Sequence, residues 1–360
     1  MTLSPNIICS LSEGVDILDE DIKISACYIV KNEEKNLRTS LDSLKDSADE
    51  IIIVDTGSTD NTLEVAKSFG AKIFYEVWQD DFSAPRNIAL DYAEGDWIIF
   101  LDADEYFTAE TAKNIRTVIE NIGEENIGGL LIHLVNIDVE NENRVMDSAF
   151  VLRIFRNLRG LQYVGKIHEE LKWFNKNLPN MIPIPAEILT LYHTGYSATV
   201  NKFKAERNLK LLLEELESTE TPQRVYGHIA QCYHGLDDFV NAEKFARLDI
   251  AADIASTFSS RSYRILLNVL ARDKFRLDER QHVAEMAIQK FSALPDFYAE
   301  SAECYAAHMD FKSAVREMTT ALEKFKTYDG MEPSIFNAEL AKFAQEKIKN
   351  WIKILSQVQG

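Results

Sequence analysis

Between residues 22 and 101 the chain alternates four short apolar runs with polar, helix-compatible stretches, and that alternation leaves little freedom of fold. The runs at 22–30, 50–55, 71–77 and 97–101 are apolar on both faces, which marks strands buried between two layers. The stretches at 33–47, 61–69 and 82–94 carry the spacing of helices that pack on such a sheet. Parallel neighbours need a crossover and a helix supplies it, so the pattern predicts a parallel, doubly wound sheet. Ligands of such sheets bind beyond the carboxyl ends of the strands, where the strand order reverses. The polar residues that close the runs are the first candidates for chemistry: Lys31 and Asn32, then Asp55, then Asp102 and Asp104.

In 96–105 a buried strand is expected to release two carboxylates, Asp102 and Asp104, at i and i+2. Two oxygen ligands so placed can hold a hard divalent cation, which in turn bridges a diphosphate. The first run ends in Ile29-Val30-Lys31-Asn32-Glu33-Glu34. The second ends in Ile53-Val54-Asp55-Thr56-Gly57-Ser58-Thr59-Asp60, where Gly57 permits a tight turn and Ser58, Thr59 or Asp60 can cap the next helix. The third helix opens with Asp81-Phe82-Ser83-Ala84-Pro85-Arg86-Asn87, with Pro85 in its first turn.

These four segments, in this order, resemble the GT-A domain of the family 2 inverting glycosyltransferases over about residues 22–200. The resemblance implies a metal-dependent enzyme that moves a hexose or N-acetylhexosamine from a UDP-sugar. It places Lys31, Asn32 and Glu33 at the nucleotide, Asp55 against the nucleoside and Arg86 at the base or diphosphate. Asp102, Ala103 and Asp104 would hold the diphosphate through Mg²⁺ or Mn²⁺, with His193 as a third metal or phosphate ligand. An inverting transfer also needs a base to take the acceptor's proton. Gly165-Lys166-Ile167-His168-Glu169-Glu170 is similar to the HE segment of a related branch, at the start of an acceptor-side helix. Glu169 is the first candidate base and Glu170 the second. Arg153, Arg156 and Lys166 would neutralise the leaving diphosphate or serve as strand-surface charges.

Further strands are expected at 129–138, 149–155 and 188–192, and a helix at 197–216 opens a second half with almost no strand signal. There Tyr226, Ile229, Ala230, Tyr233, Ala242 and Ala246 align with Tyr298, Ser301, Ala302, Tyr305, Ala314 and Met318 at a 72-residue offset (302 − 230). That is two units of tetratricopeptide-repeat length, with a middle copy around Ala284 and Ile288. The expected architecture is an N-terminal arm at 1–21, an α/β GT-A domain (Rossmann-like, mostly parallel sheet) at 22–200 and an all-α TPR-like helical domain at 201–360. Within the family this resembles the branch that joins a GT-A domain to such helices, which includes the sublancin-type bacteriocin S-glycosyltransferases. The branch implies a peptide or protein acceptor, modified at S, O or N. Helical repeats suit a peptide or a second copy of the chain, so the helices, with an amphipathic tail at Trp351, Ile352, Ile354 and Leu355, would bind acceptor or form a homodimer. An envelope-saccharide transferase and a non-catalytic scaffold that senses nucleotide-sugar are the alternatives.

Charge narrows the partners. With 39 basic and 58 acidic side chains the formal net charge is -19, which opposes phosphate-driven binding of nucleic acid and docking on anionic lipid. Cys9, Cys27, Cys232 and Cys304 show no metal or disulfide spacing, and no apolar run is long enough to span a bilayer. Both point to a reducing, cytoplasmic setting.

Overall fold

The structure is a computed structural model, and it describes residues 22–122, 127–195, 198–254, 258–328, 330 and 332–358 of the chain. The arm expected at 1–21, with Cys9, lies outside the described residues. The chain divides into two compact units, Met1–Met146 with Phe150–Ser197 and Asp147–Ala149 with Ala198–Gly360.

The first unit opens with β1 (Ile24–Val30), α1 (Leu37–Leu44), β2 (Glu50–Asp55), α2 (Thr62–Ser68), β3 (Lys72–Tyr75), α3 (Ser83–Tyr92) and β4 (Trp97–Asp102), the alternation read from sequence. It continues through β5 (Glu105–Phe107), α4 (Ala109–Ala112), α5 (Ile115–Asn121), β6 (Gly129–Asp138) and β7 (Arg144–Arg156). β8 (Leu161–Val164), β9 (Glu170–Trp173), β10 (Lys176–Asn177), β11 (Met181–Pro183) and β12 (Thr190–His193) follow. The main sheet runs β3-β2-β1-β4-β7-β6-β12-β5, with β11 added to β6. β3, β2, β1 and β4 are parallel, as expected, whereas β7 enters antiparallel beside β4. β6 and β12 are parallel, and β5 closes the series antiparallel to β12.

Both faces of β1 and β4 are buried because helices cover both. Ile24, Ala26 and Tyr28 pack with Ile99, Leu101 and the α1 leucines Leu37, Leu41 and Leu44. Cys27, Ile98 and Phe100 pack on the other face with Ala89 and Leu90 of α3. Each buried Leu, Ile or Phe among them, removed from water, stabilises the fold by about 1.5–3 kcal/mol. Cys27, Cys232 and Cys304 are buried, as expected of small apolar side chains.

The sheet has to curl. Only Ala103 and Asp104 separate β4 from β5, yet β7, β6 and β12 lie between them in the strand order. Four strand spacings of a flat sheet would cover about 19 Å, while the chain from Asp102 to Glu105 reaches about 11 Å at most. A second, three-stranded antiparallel sheet, β10-β9-β8, was not legible in the sequence. Its tightest turn is Phe174-Asn175, both at positive φ (46° and 60°), the conformation of a type I′ hairpin.

The second unit is helical: α6 (Ala198–Ser218), α7 (Tyr226–Gly235), α8 (Phe239–Ala252), α9 (Ser260–Leu270), α10 (Leu277–Lys290), α11 (Pro295–Ala307), α12 (Phe311–Thr327) and α13 (Ala338–Val358). The internal repeat holds in detail. Ala230, Ala242, Ala246, Ala302 and Ala314 are fully buried, which lets the paired helices approach closely. Asp238 and Asp310 cap α8 and α12 in the same way, each accepting an N–H three residues on. The residues before them, Asp237 and Met309, share a left-handed φ of 60° and 64°. In the middle copy Ala284 is buried as expected, but Ala287 rather than Ile288 takes the next buried position. In the tail, Trp351 is buried in one apolar cluster with Ala341 and Ala344 of its own helix and Met318 and Ala321 of α12, while Ile352 and Ile354 stay exposed.

Candidate active site

The site collects where the strand order reverses, at the carboxyl ends of β1, β2 and β4. The loops after β1 and β2 brace one another. Asn32, at φ 58°, donates its N–H to Ser58 Oγ (3.0 Å) and accepts from the Thr59 N–H (2.7 Å). The Glu33 N–H reaches Thr62 Oγ1 at 2.7 Å. Asp55 is buried, and its carboxylate accepts the N–H groups of Gly57 and Ser58 at 3.1 Å. Asp55 thus shapes its own turn at the end of β2, where the family resemblance expects it to meet the nucleoside. Lys31 and Asn32 are exposed at this rim.

Asp81 starts α3 by accepting the N–H groups of Ser83 (2.7 Å) and Ala84 (3.2 Å), and in the turn that follows Arg86 and Asn87 take different tasks. Asn87 clamps β8, donating to the Tyr163 carbonyl (3.0 Å) and accepting its N–H (2.7 Å). Arg86, with a side chain 8% exposed, donates through Nη2 to Asp102 Oδ1 (2.7 Å) and through Nε to Glu169 Oε1 (2.5 Å). Its guanidinium lies over the rings of Phe100 and Tyr163 at 4.8 and 5.4 Å. Arg153 continues the series, with Nη2 at 3.3 Å from Asp102 Oδ2 and a two-pronged contact to Glu105 at 2.7 Å on each prong. Glu105, 2% exposed, also accepts the Asp102 N–H at 3.1 Å. The result is one chain of charge: Glu169, Arg86, Asp102, Arg153, Glu105.

Burial pushes the Asp102 carboxyl up, but Arg86 and Arg153 more than offset it and hold the group well below the usual carboxylate range. For Glu105 burial wins: its carboxyl is raised although Arg153 pulls the other way. Burial works against the Arg86 charge, and the facing Asp102 and Glu169 outweigh it.

Beside this chain lies Asp104. His193 Nδ1 meets Asn136 Oδ1 at 2.7 Å, which turns Nε2 toward Asp104 Oδ2 at 3.2 Å. With the proton on Nδ1, two acceptors face each other, and this is a donor pair a divalent cation takes up. With both nitrogens protonated, the imidazolium satisfies Asp104 itself. The expected trio of Asp102, Asp104 and His193 is not assembled, because guanidinium groups occupy both Asp102 oxygens. Among the described residues no group of three or more His, Cys, Asp or Glu side chains is placed to hold a metal.

Other expectations need correction. Arg156 pairs in register with Trp97 at the opposite end of β4, stacks on that ring at 4.8 Å and donates to the Ile127 carbonyl, so it takes no part in the cluster. Lys166 is exposed and offers its backbone carbonyl to the Phe82 N–H (2.8 Å). His168-Glu169-Glu170 begins no helix: it links β8 to β9, with Glu170 already in β9 and paired with Lys172. The structure brings Glu169 to the site and leaves Glu170 beside it. Sequence reasoning missed Glu105, Asn136 and the role of Asn87. For Glu105 the only sequence signal was its place directly after Asp102-Ala103-Asp104.

Residues 25–189 match the family model for glycosyl transferase family 2. The SPbeta prophage-derived glycosyltransferase SunS of Bacillus subtilis is 33% identical over 208 residues, 56% of this chain and 47% of that protein. A TPR repeat-containing protein of Synechococcus elongatus is 45% identical over 191 residues, 51% of this chain and 46% of that protein. The chain thus spans about half the length of these curated relatives. Among solved structures, residues 1–349 of Staphylococcus aureus TarS with UDP-GlcNAc show a distant likeness, with a TM-score of 0.40 at 16% identity over 86% of this chain and 93% of that one. Residues 25–189 thus resemble glycosyl transferase family 2, and a unit of TPR-like helices follows them.

Proposed function

We propose that this chain is an inverting glycosyltransferase that moves a hexose or N-acetylhexosamine from a UDP-sugar to a polypeptide acceptor. The observation that carries the reading is Arg86, whose single guanidinium joins Asp102 at the end of β4 to Glu169 on the β8–β9 loop. Donor side and proton-accepting side are thereby set at a fixed spacing. Glu169 takes the acceptor's proton as the acceptor attacks the anomeric carbon from the far face, and Arg86 holds that carboxylate in place. Arg153 faces Asp102 and is positioned to meet negative charge that develops on the leaving diphosphate. Asp104 and His193 would hold a divalent cation, which supplies further neutralisation of that charge. The polypeptide acceptor is supported by the sequence similarity to SunS and by a repeat architecture that exposes large surfaces.

Calorimetry with UDP, with and without Mn²⁺, tests the donor side. Metal-dependent binding is expected in the unaltered chain and is lost in Asp104→Asn and in His193→Ala. Binding that survives both substitutions would remove these residues from the metal site. Donor binding without any donor hydrolysis would favour the nucleotide-sugar-sensing scaffold.

A further inference from the structure

Glu169 reaches the site on a stretch of backbone with little regular structure of its own. β8 and β9, on either side of it, are four residues each, and a pair of strands that short is marginal by itself. Between them Gly165 and His168 both lie at positive φ, 105° and 51°, so the link follows no element that would fix it.

What fixes it is α3. β8 forms the edge of its sheet, and there the Tyr163 N–H and carbonyl both meet Asn87, at 2.7 and 3.0 Å. A side-chain amide carries the same donor and acceptor as a peptide unit, so Asn87 stands in for a further strand. Ser83 Oγ donates to the Gly165 carbonyl, and the Phe82 N–H donates to that of Lys166 at 2.8 Å. Arg86 then meets Glu169 itself. Phe82 and Arg86 are four residues apart, as are Ser83 and Asn87, so one face of α3 makes all of these ties. The helix is itself seated on the sheet. Its Ala89 and Leu90 pack with Ile98 and Phe100 of β4, the strand that ends in Asp102.

We infer that Asn87 is a positioning residue: through Tyr163 it holds the 163–169 segment, and with it Glu169, at a fixed place relative to Asp102. The inference deepens the transferase reading and rests on it for the role of Glu169. Because Asn87 acts through backbone, its loss should reach turnover and spare the binding of UDP.

The full chain is followed by amide hydrogen exchange, by calorimetry with UDP and Mn²⁺, and by release of UDP from UDP-glucose and UDP-N-acetylglucosamine. In Asn87→Ala, exchange across 163–169 should quicken by about tenfold or more, because two hydrogen bonds are lost. Turnover should fall by about tenfold to 10²-fold, a cost that a misplacement of about 1 Å can reach, with UDP affinity nearly unchanged. Ser83→Ala, which removes the tie to Gly165 alone, should move both readings the same way by less. Asn157→Ala is the control. It also loses two hydrogen bonds, to the Ala93 and Gly95 carbonyls (2.9 Å each), and should lower the unfolding midpoint without moving either reading. Unchanged exchange at 163–169, an equal fall in turnover and UDP affinity, or the same slowing in Asn157→Ala would overturn the inference. So would intact turnover in Asn87→Ala beside a crippled Glu169→Gln. A chain with no turnover at all, or one indifferent to Glu169→Gln, defeats the preceding reading instead, and exchange at 163–169 then decides whether Asn87 holds the segment.

Discussion

The sheet unit and the helical unit each gather glutamates and arginines into a network, and the two networks differ in parity. In the helices, Glu243, Arg247, Glu279 and Arg276 form a closed ring in which every group has two opposite neighbours. Two acids balance two bases, the side chains are 21–40% exposed, and nothing is left over. At the strand ends, three carboxylates share two guanidinium groups in an open chain; Arg86, Arg153, Glu105 and Glu169 are only 3–22% exposed, with Asp102 at 37% between the two guanidinium groups. A ring of that kind serves stability alone. An open chain with one carboxylate in excess keeps a group ready for a proton or a cation, at the expense of its own burial.

The largest effect that separates the two should come from the end of the chain. Glu169→Gln is expected to lower turnover about 10²–10⁴-fold while leaving donor affinity nearly unchanged, as measured by steady-state kinetics beside calorimetry. If Glu170→Gln is the crippled variant, the base is its neighbour. With a thiol acceptor the loss would be smaller, because a cysteine ionises more readily than an alcohol.

Next comes the middle of the chain. Arg86→Met removes the shared partner of two carboxylates in a dry setting and should cost about 3–5 kcal/mol in urea unfolding. A cost below about 1 kcal/mol would mean water reaches the pair and the parity contrast fails. Ala302→Leu, at a fully buried position of α11, should cost about 1–3 kcal/mol by overpacking and leave donor binding intact.

The smallest effect belongs to the ring. Arg276→Met should cost no more than about 1 kcal/mol at neutral pH. Hydrogen bonds from Arg276, against the opposing effect of burial, lower Glu243 from 4.5 to about 2. A depressed folded-state value gives stability that is present above the unfolded value and lost as the carboxylate protonates. The stabilities of variant and unaltered chain should therefore converge as pH falls from about 4.5 toward about 2, and a constant gap would show that the ring contributes through packing.

The elements legible in the sequence were those whose faces are both buried. β2 and β6 fall where the apolar runs end, because a strand covered on two sides is mostly apolar along its length. The short sheet β8–β10 was invisible, since its strands span four residues at most, only β8 alternates exposed and covered positions, and the turns at Gly165 and Phe174-Asn175 separate them. Arg153 and Arg156 looked alike for a definite reason. Val151 and Ile154 pack on one face of the sheet and Leu152 and Phe155 on the other, so the alternation slips by one at Arg153, as at a bulge. That slip marks the residue that reaches Asp102, and no count of periods reports it. Glu105 was missed because a carboxylate that follows a loop reads as solvated until its arginine is known.

Because β4 and β5 belong to one curled sheet and only two residues separate them, the Ala103-Asp104 link acts as the clasp of a hoop. Length cannot be added at a clasp. One residue inserted there would shift β5 by a step against β12, turn its side chains to the opposite face, and part Asp104 from His193 and Glu105 from Arg153 together. The same residue inserted in the exposed turn at 140–143 would lengthen a free end and change neither pairing. The chain therefore has room to change length only where the hoop does not close.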